Sequence, residues 1–244
     1  MIGKEKNILA AGCSFTAQPE SWIDLAEDPN ENIILRTIAR PSYSNSRIAE
    51  TILQTIVGLQ ELYDLVIIQW SAVGRAYAVN ENDFIQQLAF SHDSEMVNML
   101  LRPDDYILSE KDRYNINLWG VTDSTHVISN HLYKSSLTQM VMCKYALDQL
   151  KVNYVMYWGW AQINDDLYKS YKTYIDILYS KNFITYQGHG GMSEYAQDKL
   201  GKDKALIPKD FHPSREAHLL WYNEILKPLI WNPETFKGNR YEIT

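Results

Sequence analysis

Apolar runs of strand length alternate with helix-like patterns along most of the chain. Runs such as LVIIQW and NYVMYW are continuously apolar, as expected of strands that are covered on both faces. Strand candidates separated by helical segments predict βαβ units and a largely parallel sheet. The five strand candidates are Asn7 to Ala11, Ile33 to Ile38, Leu65 to Trp70, Asn153 to Trp158 and Phe183 to Tyr186.

Helices are predicted where apolar residues recur every three or four positions. The clearest case is the segment Ser46 to Tyr63, in which Ile48, Ile52 and Ile56 fall on one face. The other predicted helices are Leu137 to Leu150, Asp165 to Tyr179 and Arg215 to Ile230, and a further helix is expected to begin around Ser21.

The alternation breaks between about residues 79 and 130, where the segments NENDF, RPDDY and SEKDRYN are polar and carry no long periodic pattern. We interpret this stretch as an insertion, partly helical, that forms a lid or a partner surface on a single domain spanning residues 1–244. The C-terminal segment PETFKGNRYEIT is expected to be a loosely held tail.

The composition favours a soluble protein that binds neither nucleic acid nor membrane. A chain of 244 residues that is 45% hydrophobic can bury a sizeable core. Its net charge of -7 and its lack of a basic tract argue against phosphate contacts to nucleic acid. No apolar stretch approaches the roughly 20 residues of a membrane helix. The N-terminus is typical of a strand rather than a signal peptide, so a cytoplasmic location is expected.

Neither a metal nor a cofactor is predicted. Cys13 and Cys143 lie far apart, which does not favour a disulfide framework or a cysteine-based metal site. His92, His126 and His131 lie in or near the insertion without the spacing of metal ligands. The segment YQGHGGM lacks the lysine and the strand-to-helix frame of a phosphate-binding loop, so we interpret it as a flexible turn at the rim of a site.

Ser14 is the first candidate for chemistry. It lies two residues after Gly12, just past the first predicted strand, and the carboxyl ends of parallel strands are where such sheets bind ligands. A serine on this turn is exposed, and the amides that follow it can hold an oxyanion. A serine that only caps the next helix or satisfies the turn would give the same local pattern.

The segment DFHPSREAH supplies a second candidate pair, Asp210 and His212. A histidine can accept a proton from a serine hydroxyl at neutral pH, and a nearby carboxylate can orient its ring. The alternative interpretation is a helix N-terminus capped by Ser214 that happens to contain a histidine. The loop PSYSNSRIAETI after the second strand offers backbone amides and Asn45 as oxyanion donors, although a plain loop with an N-cap would look similar.

In this order the three segments resemble the SGNH hydrolases, also called the GDSL esterase and lipase family, from about residue 5 to residue 230. The nucleophile block G-D-S is matched by Gly12, Cys13 and Ser14, and Asp210 and His212 fall in a block similar to D-x-x-H-P. The second block, G-x-S-N, is matched in part by Ser42, Tyr43, Ser44 and Asn45. The resemblance implies a three-layer α/β/α sandwich with a central parallel sheet of about five strands in the flavodoxin-like order 2-1-3-4-5.

Several positions depart from the family pattern. Ser42 replaces the glycine whose amide faces the oxyanion, and no asparagine follows the third strand, so Ser71, Asn45 or Arg75 would have to replace that donor. Lys209 occupies the family's aspartate position. Asp210 therefore either reaches the imidazole from one residue further on or leaves a Ser-His dyad.

Three further residues are weighed for the site. Trp70, at the end of a strand, either stacks on a substrate or packs in the core. Arg75 either binds an anionic group or makes a surface salt bridge. Cys13 is a minor alternative as nucleophile, because thiolates are good nucleophiles.

The sequence thus predicts a serine esterase that cleaves a small acyl ester, with acetyl as a candidate acyl group and a carbohydrate as a candidate alcohol. The rival hypothesis is a catalytically degenerate SGNH domain that acts as a carbohydrate-binding or assembly module and uses the insertion as its interaction surface. A nucleotide-binding flavodoxin-like protein is a third possibility, disfavoured because no glycine-rich phosphate loop follows the first strand.

Overall fold

The computed structural model describes residues 5–27, 32–41, 43–71, 73, 75–79, 85–89, 125–160, 163–208, 212–232 and 241–243. Within these ranges the strands are β1 (Lys6–Ala11), β2 (Ile33–Thr37), β3 (Leu65–Trp70), β4 (Arg75–Val79), β5 (Ile85–Ala89), β6 (Tyr154–Trp158), β7 (Phe183–Tyr186) and β8 (Tyr241–Ile243).

The helices flank these strands in the predicted alternation. They are α1 (Ser14–Ala17), α2 (Trp22–Ala26), α3 (Asn45–Leu53), α4 (Thr125–Gln149), α5 (Asp165–Tyr179), α6 (Met192–Leu200), α7 (Lys202–Ala205), α8 (Arg215–Trp221) and α9 (Lys227–Trp231). A π-helical turn, Gln54–Gly58, extends α3, and a second one, Tyr222–Leu226, joins α8 to α9. No helix among the described residues is both long enough and apolar enough to cross a bilayer.

Six strands form one sheet in the order β2-β1-β3-β6-β7-β8, with every pair parallel. Counted along this sheet alone, the order is 2-1-3-4-5-6, which confirms the predicted arrangement and adds one edge strand. The parallel pairing follows from the sequence because each helix returns the chain to the same end of the sheet.

The sheet is covered on both faces, as the continuously apolar strands predicted. Alternate residues of β1 divide between the two sides: Leu9 joins the core that contains α3, α4 and α5, whereas Ile8 joins the core that contains α2, α6, α8 and α9. Ile52 and Trp221 are completely buried in these two cores. This is the α/β/α sandwich that the sequence predicted.

The structure corrects four element boundaries. The helix predicted from Leu137 begins earlier, at Thr125. Its first three turns were not predicted because their sequence lacks a clear apolar stripe. The helix predicted to reach Tyr63 ends with the π turn at Gly58, shortly before Gln60 adopts a positive φ of 53°.

The other two corrections concern the insertion and the tail. β4 ends where the predicted insertion begins, and it pairs antiparallel with β5, which lies inside the insertion. Residues 80–84 and 90–124 of this stretch lie outside the described residues. The tail was expected to be loosely held, but its residues 241–243 form β8 and cover the edge of β7, which satisfies backbone groups that an open edge would leave unpaired.

Candidate active site

Ser14 lies at the carboxyl edge of the sheet. It is the first residue of the short helix α1, which follows β1 after only Gly12 and Cys13. Gly12 is required by close approach, since a Cβ atom there would lie 2.5 Å from the hydroxyl oxygen of Thr16. The tight turn therefore presents Ser14, which is half-buried, at the start of a helix whose first amides have no acceptor within the helix itself.

Gln69, a completely buried residue near the end of β3, stabilises this turn through hydrogen bonds. Its Oε1 atom accepts hydrogen bonds from the backbone N–H of Cys13 (3.3 Å), from the Cys13 thiol (3.3 Å) and from the Thr16 hydroxyl (3.2 Å). The thiol of Cys13 is likewise completely buried and is directed to Gln69. Burial therefore disfavours the alternative in which Cys13 is the nucleophile.

His212 lies on the loop before α8, and two backbone hydrogen bonds hold the chain at His212 and just after it. Its carbonyl accepts from the N–H of Ile207 (2.8 Å), and the N–H of Ser214 donates to the carbonyl of Ala205 (2.8 Å). The Ser214 hydroxyl also caps α8 by accepting from the N–H of Ala217. The helix-cap interpretation of this segment is thus correct for Ser214, and it leaves His212 available for another contact.

The structure brings Ser14 and His212 together across 198 positions of sequence. The distance between Ser14 Oγ and His212 Nε2 is 2.8 Å, which agrees with the separation of about 3 Å expected of a serine and its base. At this distance the serine hydroxyl can donate to the ring nitrogen in the tautomer that leaves Nε2 without a proton. The ring of Phe15 packs against His212 with centroids 5.2 Å apart, so the imidazole is held on one side by an apolar neighbour.

An aromatic pair lies beside these two side chains. Phe15 is almost completely buried, and its ring centroid lies 4.6 Å from that of Trp160, which follows β6 and is partly exposed. Phe15 lies in α1 just after β1, Trp160 lies just after β6, and the carboxyl ends of these two parallel strands are at the same edge of the sheet. Trp160 is one of the tryptophans considered from the sequence for stacking on a sugar, but the role was assigned to Trp70, and Phe15 was not predicted.

Asn45 and Ser71, the two described candidates for the third oxyanion donor, are turned into the protein. Asn45 is completely buried, and its amide nitrogen donates to the Ser71 carbonyl and to the Ser136 hydroxyl, both at 3.0 Å. Ser71 is 1% exposed, and its N–H donates to Asn45 Oδ1 at 2.7 Å. The structure therefore places both residues as links between β3, α3 and α4.

The remaining predicted residues are placed as follows. Trp70 is completely buried in the core against α3 and α4, so its ring offers no open face to a substrate, contrary to the stacking role considered for it. Arg75 begins β4, where only its backbone is described. Ser42 and Asp210 lie outside the described residues.

His189 lies in the turn after β7, the segment for which a turn was predicted. The N–H of Gly190 and the carbonyl of Tyr186 form a 2.7 Å hydrogen bond, and the His189 ring packs 4.9 Å from that of Tyr168. Among the described residues, no three histidine, cysteine, aspartate or glutamate side chains gather in a group that would hold a metal ion.

Sequence analysis missed three polar side chains around Ser14 and His212: Gln18, Gln69 and His218. Gln18 donates to the carbonyl of Pro213 at 2.8 Å and lies 2.8 Å from the ring of His218. Two of these residues carried a signal in the sequence: Gln69 is a polar residue within an apolar strand, and His218 is a polar residue on the apolar face of a helix. Gln18, at the end of a four-residue helix, carried none.

Comparison with known proteins gives a likeness at the level of structure. No protein-family profile matches the chain, and no curated protein matches it significantly. The crystal structure of the psychrotrophic esterase EstA from Pseudoalteromonas sp. covers 94% of this chain and is itself covered completely, with a TM-score of 0.51 and 11% identity. The chain shares the α/β fold of this esterase.

Two further solved structures are similar to this chain. A protein described as a lipolytic protein of the G-D-S-L family, from Desulfitobacterium hafniense, is 10% identical, with 92% of this chain and 99% of that chain covered and a TM-score of 0.48. A catalytic mutant of Axe2, an acetylxylan esterase from Geobacillus stearothermophilus, is 14% identical, with 100% and 99% covered and a TM-score of 0.45.

Proposed function

We propose that this chain is a serine ester hydrolase of the SGNH family, in which Ser14 is the nucleophile and His212 is its base. The observation that carries the proposal is the 2.8 Å contact between Ser14 Oγ and His212 Nε2 at the carboxyl edge of the sheet. A helix cap or a surface histidine would not require these two side chains to meet, whereas acyl transfer requires it.

The reaction follows from this contact. His212 Nε2 takes the hydroxyl proton as Ser14 Oγ attacks the ester carbonyl, and the resulting imidazolium then protonates the departing alcohol as the acyl-oxygen bond breaks. Water, deprotonated by the same ring nitrogen, attacks the acyl-serine; the bond between the acyl carbon and Ser14 Oγ breaks, the imidazolium returns its proton to Ser14 Oγ, and the acid is released. The backbone N–H of Ser14, at the first position of α1, donates to the oxyanion.

Three further residues complete the proposed site. Asp210, two residues before His212, orients the imidazole through its other nitrogen. The backbone N–H of Ser42 serves as the second oxyanion donor, and Arg75 replaces the asparagine that the family carries after its third strand. Neither Asn45 nor Ser71 has this role, since both are buried and bonded to each other.

The proposed substrate is a small acyl ester, with acetyl favoured, on a carbohydrate alcohol. Phe15 and Trp160 support this choice because they form an aromatic pair next to His212, and Trp160 retains exposed surface. Aromatic faces at the border of a cleft pack well against the apolar face of a sugar ring. The site needs no cofactor for this chemistry.

Hydrolysis of p-nitrophenyl acetate and p-nitrophenyl butyrate by wild type, Ser14→Ala and His212→Ala tests the proposal. We expect the acetate to be the better substrate and both variants to lose about three orders of magnitude or more in kcat. Ser180→Ala is the matched control, since Ser180 is an exposed serine at the end of α5. Equal rates for wild type, Ser14→Ala and Ser180→Ala would contradict the proposal.

A further inference from the structure

We infer that Gln18 is a positioning residue that fastens the His212 loop to the helix bearing Ser14, and that His218 fixes the direction of the Gln18 amide. The inference rests on the proposed function of Ser14 and His212. Gln18 has no place in the chemical steps themselves, and its effect on them is exerted through the backbone next to His212.

Gln18 makes hydrogen bonds to the backbone at both functional residues. It is the C-cap of α1, and its backbone N–H donates to the carbonyl of Ser14 at 2.9 Å. Its side-chain nitrogen donates to the carbonyl of Pro213, the residue directly after His212, at 2.8 Å. The peptide units of Ser14 and of the His212 loop are therefore tied together independently of the contact between their side chains.

The hydrogen bonds determine which way the Gln18 amide points and which tautomer His218 adopts. A carbonyl oxygen can only accept, so the Gln18 atom that faces Pro213 must be the Nε2 donor. The same nitrogen lies 2.8 Å from His218 Nε2. Because an amide nitrogen cannot accept a hydrogen bond, His218 Nε2 must be unprotonated and the ring proton must lie on Nδ1.

The surroundings of His218 favour this neutral form. The side chain is completely buried, and burial together with the nearby His212 ring lowers the pKa of His218 to about 3. Its Nδ1 atom has no hydrogen-bond partner among the described residues. A charged His218 would present a second N–H to the donor of Gln18 and would break the arrangement, so the neutral acceptor is what keeps the amide turned to Pro213.

We expect the Gln18 hydrogen bond to hold the His212 ring more precisely at its distance from Ser14. Its loop is already bonded to Ile207 and Ala205 on one side, and Gln18 supplies the bond on the side of α1. A displacement of about 1 Å between a nucleophile and its base costs about 100-fold in rate. Loss of the Gln18 donor should therefore lower kcat while leaving substrate affinity unchanged.

Four variants test the inference through the split between kcat and KM. Gln18→Met removes the donor at nearly constant shape, and we expect kcat to fall about 10- to 100-fold with KM within about twofold of wild type. His218→Leu should lower kcat in the same direction, whereas His218→Gln, which restores an acceptor for Gln18, should recover most of the loss. Gln54→Met changes an exposed glutamine in the turn after α3 and should leave both constants unchanged.

Histidine side-chain 1H–15N spectra provide a readout that does not depend on activity. We expect His218 to show the Nδ1–H tautomer in wild type, and the ring signals of His212 to shift or broaden in Gln18→Met but not in Gln54→Met. An Nε2–H tautomer of His218, or unchanged His212 signals in Gln18→Met, would overturn the inference.

The two proposals fail in different ways. A wild type without Ser14-dependent hydrolysis would contradict the proposed function, and the spectra would still decide whether Gln18 positions His212. An active wild type whose Gln18→Met variant keeps full kcat would instead overturn the role of Gln18 alone.

Discussion

Asn45 and Ser71 are joined by two reciprocal hydrogen bonds, although they belong to different strand-helix units. The Ser71 N–H donates to Asn45 Oδ1 at 2.7 Å, and the Asn45 amide donates to the Ser71 carbonyl at 3.0 Å. Asn45 begins α3, and Ser71 follows the last residue of β3. The side-chain amide thereby satisfies a peptide group that leaves the sheet at its carboxyl edge, close to where the proposed site is built.

Replacement of Asn45 should destabilise the protein. Asn45→Ala leaves the buried N–H and carbonyl of Ser71 without these partners, so we expect the free energy of unfolding to fall by about 2 to 4 kcal/mol. Urea unfolding measures this change. Asn153→Ala is the control: its side chain donates one exposed hydrogen bond to the Asp64 carbonyl, and its loss should cost less than about 1 kcal/mol. Equal costs for the two variants would contradict the structural role of Asn45.

Gly191 should not tolerate a side chain. A Cβ atom at this position would lie 2.2 Å from the carbonyl oxygen of Trp158 in β6, and that backbone atom cannot move aside. Gly191→Ala should therefore lower the free energy of unfolding by about 2 to 3 kcal/mol, as overpacking does. Gly58→Ala, with no atom within 4 Å of the added Cβ, should be neutral or should stabilise by up to about 1 kcal/mol. Thermal unfolding of both variants checks the contrast.

The buried His218 should make stability depend on pH. Burial lowers the pKa of His218 to about 3, whereas an unfolded histidine has a pKa near 6.5. Below that value the unfolded chain binds the extra proton, so the stability of the native state falls as the pH decreases from about 6.5 toward about 3. At about pH 5 the loss attributable to this group should be about 2 kcal/mol.

Urea unfolding at about pH 7 and about pH 5 measures this loss. The variant His218→Gln has no titrating group at the position and should lose correspondingly less stability between the two values. An identical pH dependence of wild type and His218→Gln would show that residue 218 does not take part.

The pattern of apolar residues was sufficient to predict five of the six strands of the parallel sheet. A continuously apolar run such as β3 favours a strand that is covered on both faces, as in the middle of a parallel sheet. In the structure all six residues of β3 are buried. The edge strand β8 was missed because it has only three residues, most of them exposed, and because it is distant in sequence from β7, with which it pairs. An edge strand is defined by its partner more than by its own composition.

The contact between Ser14 and His212 could be anticipated from two segments, but the side chains that support it could not. Gln69 and Gln18 act over separations of 53 and 195 positions, and nothing in their own segments indicates these partners. Trp70 shows a different failure. It shares a face with Val66 and Ile68 in β3, so the alternation of the strand already directed its ring into the core.

The most direct test of the central claim is covalent labelling by a fluorophosphonate, followed by intact mass and peptide mapping. We expect one adduct on Ser14 in wild type and in Ser180→Ala, strongly slowed labelling in His212→Ala, and none in Ser14→Ala, because only a serine activated by its base attacks phosphorus rapidly. Folded wild-type protein that remains unlabelled, or that is labelled equally in Ser14→Ala, would contradict it.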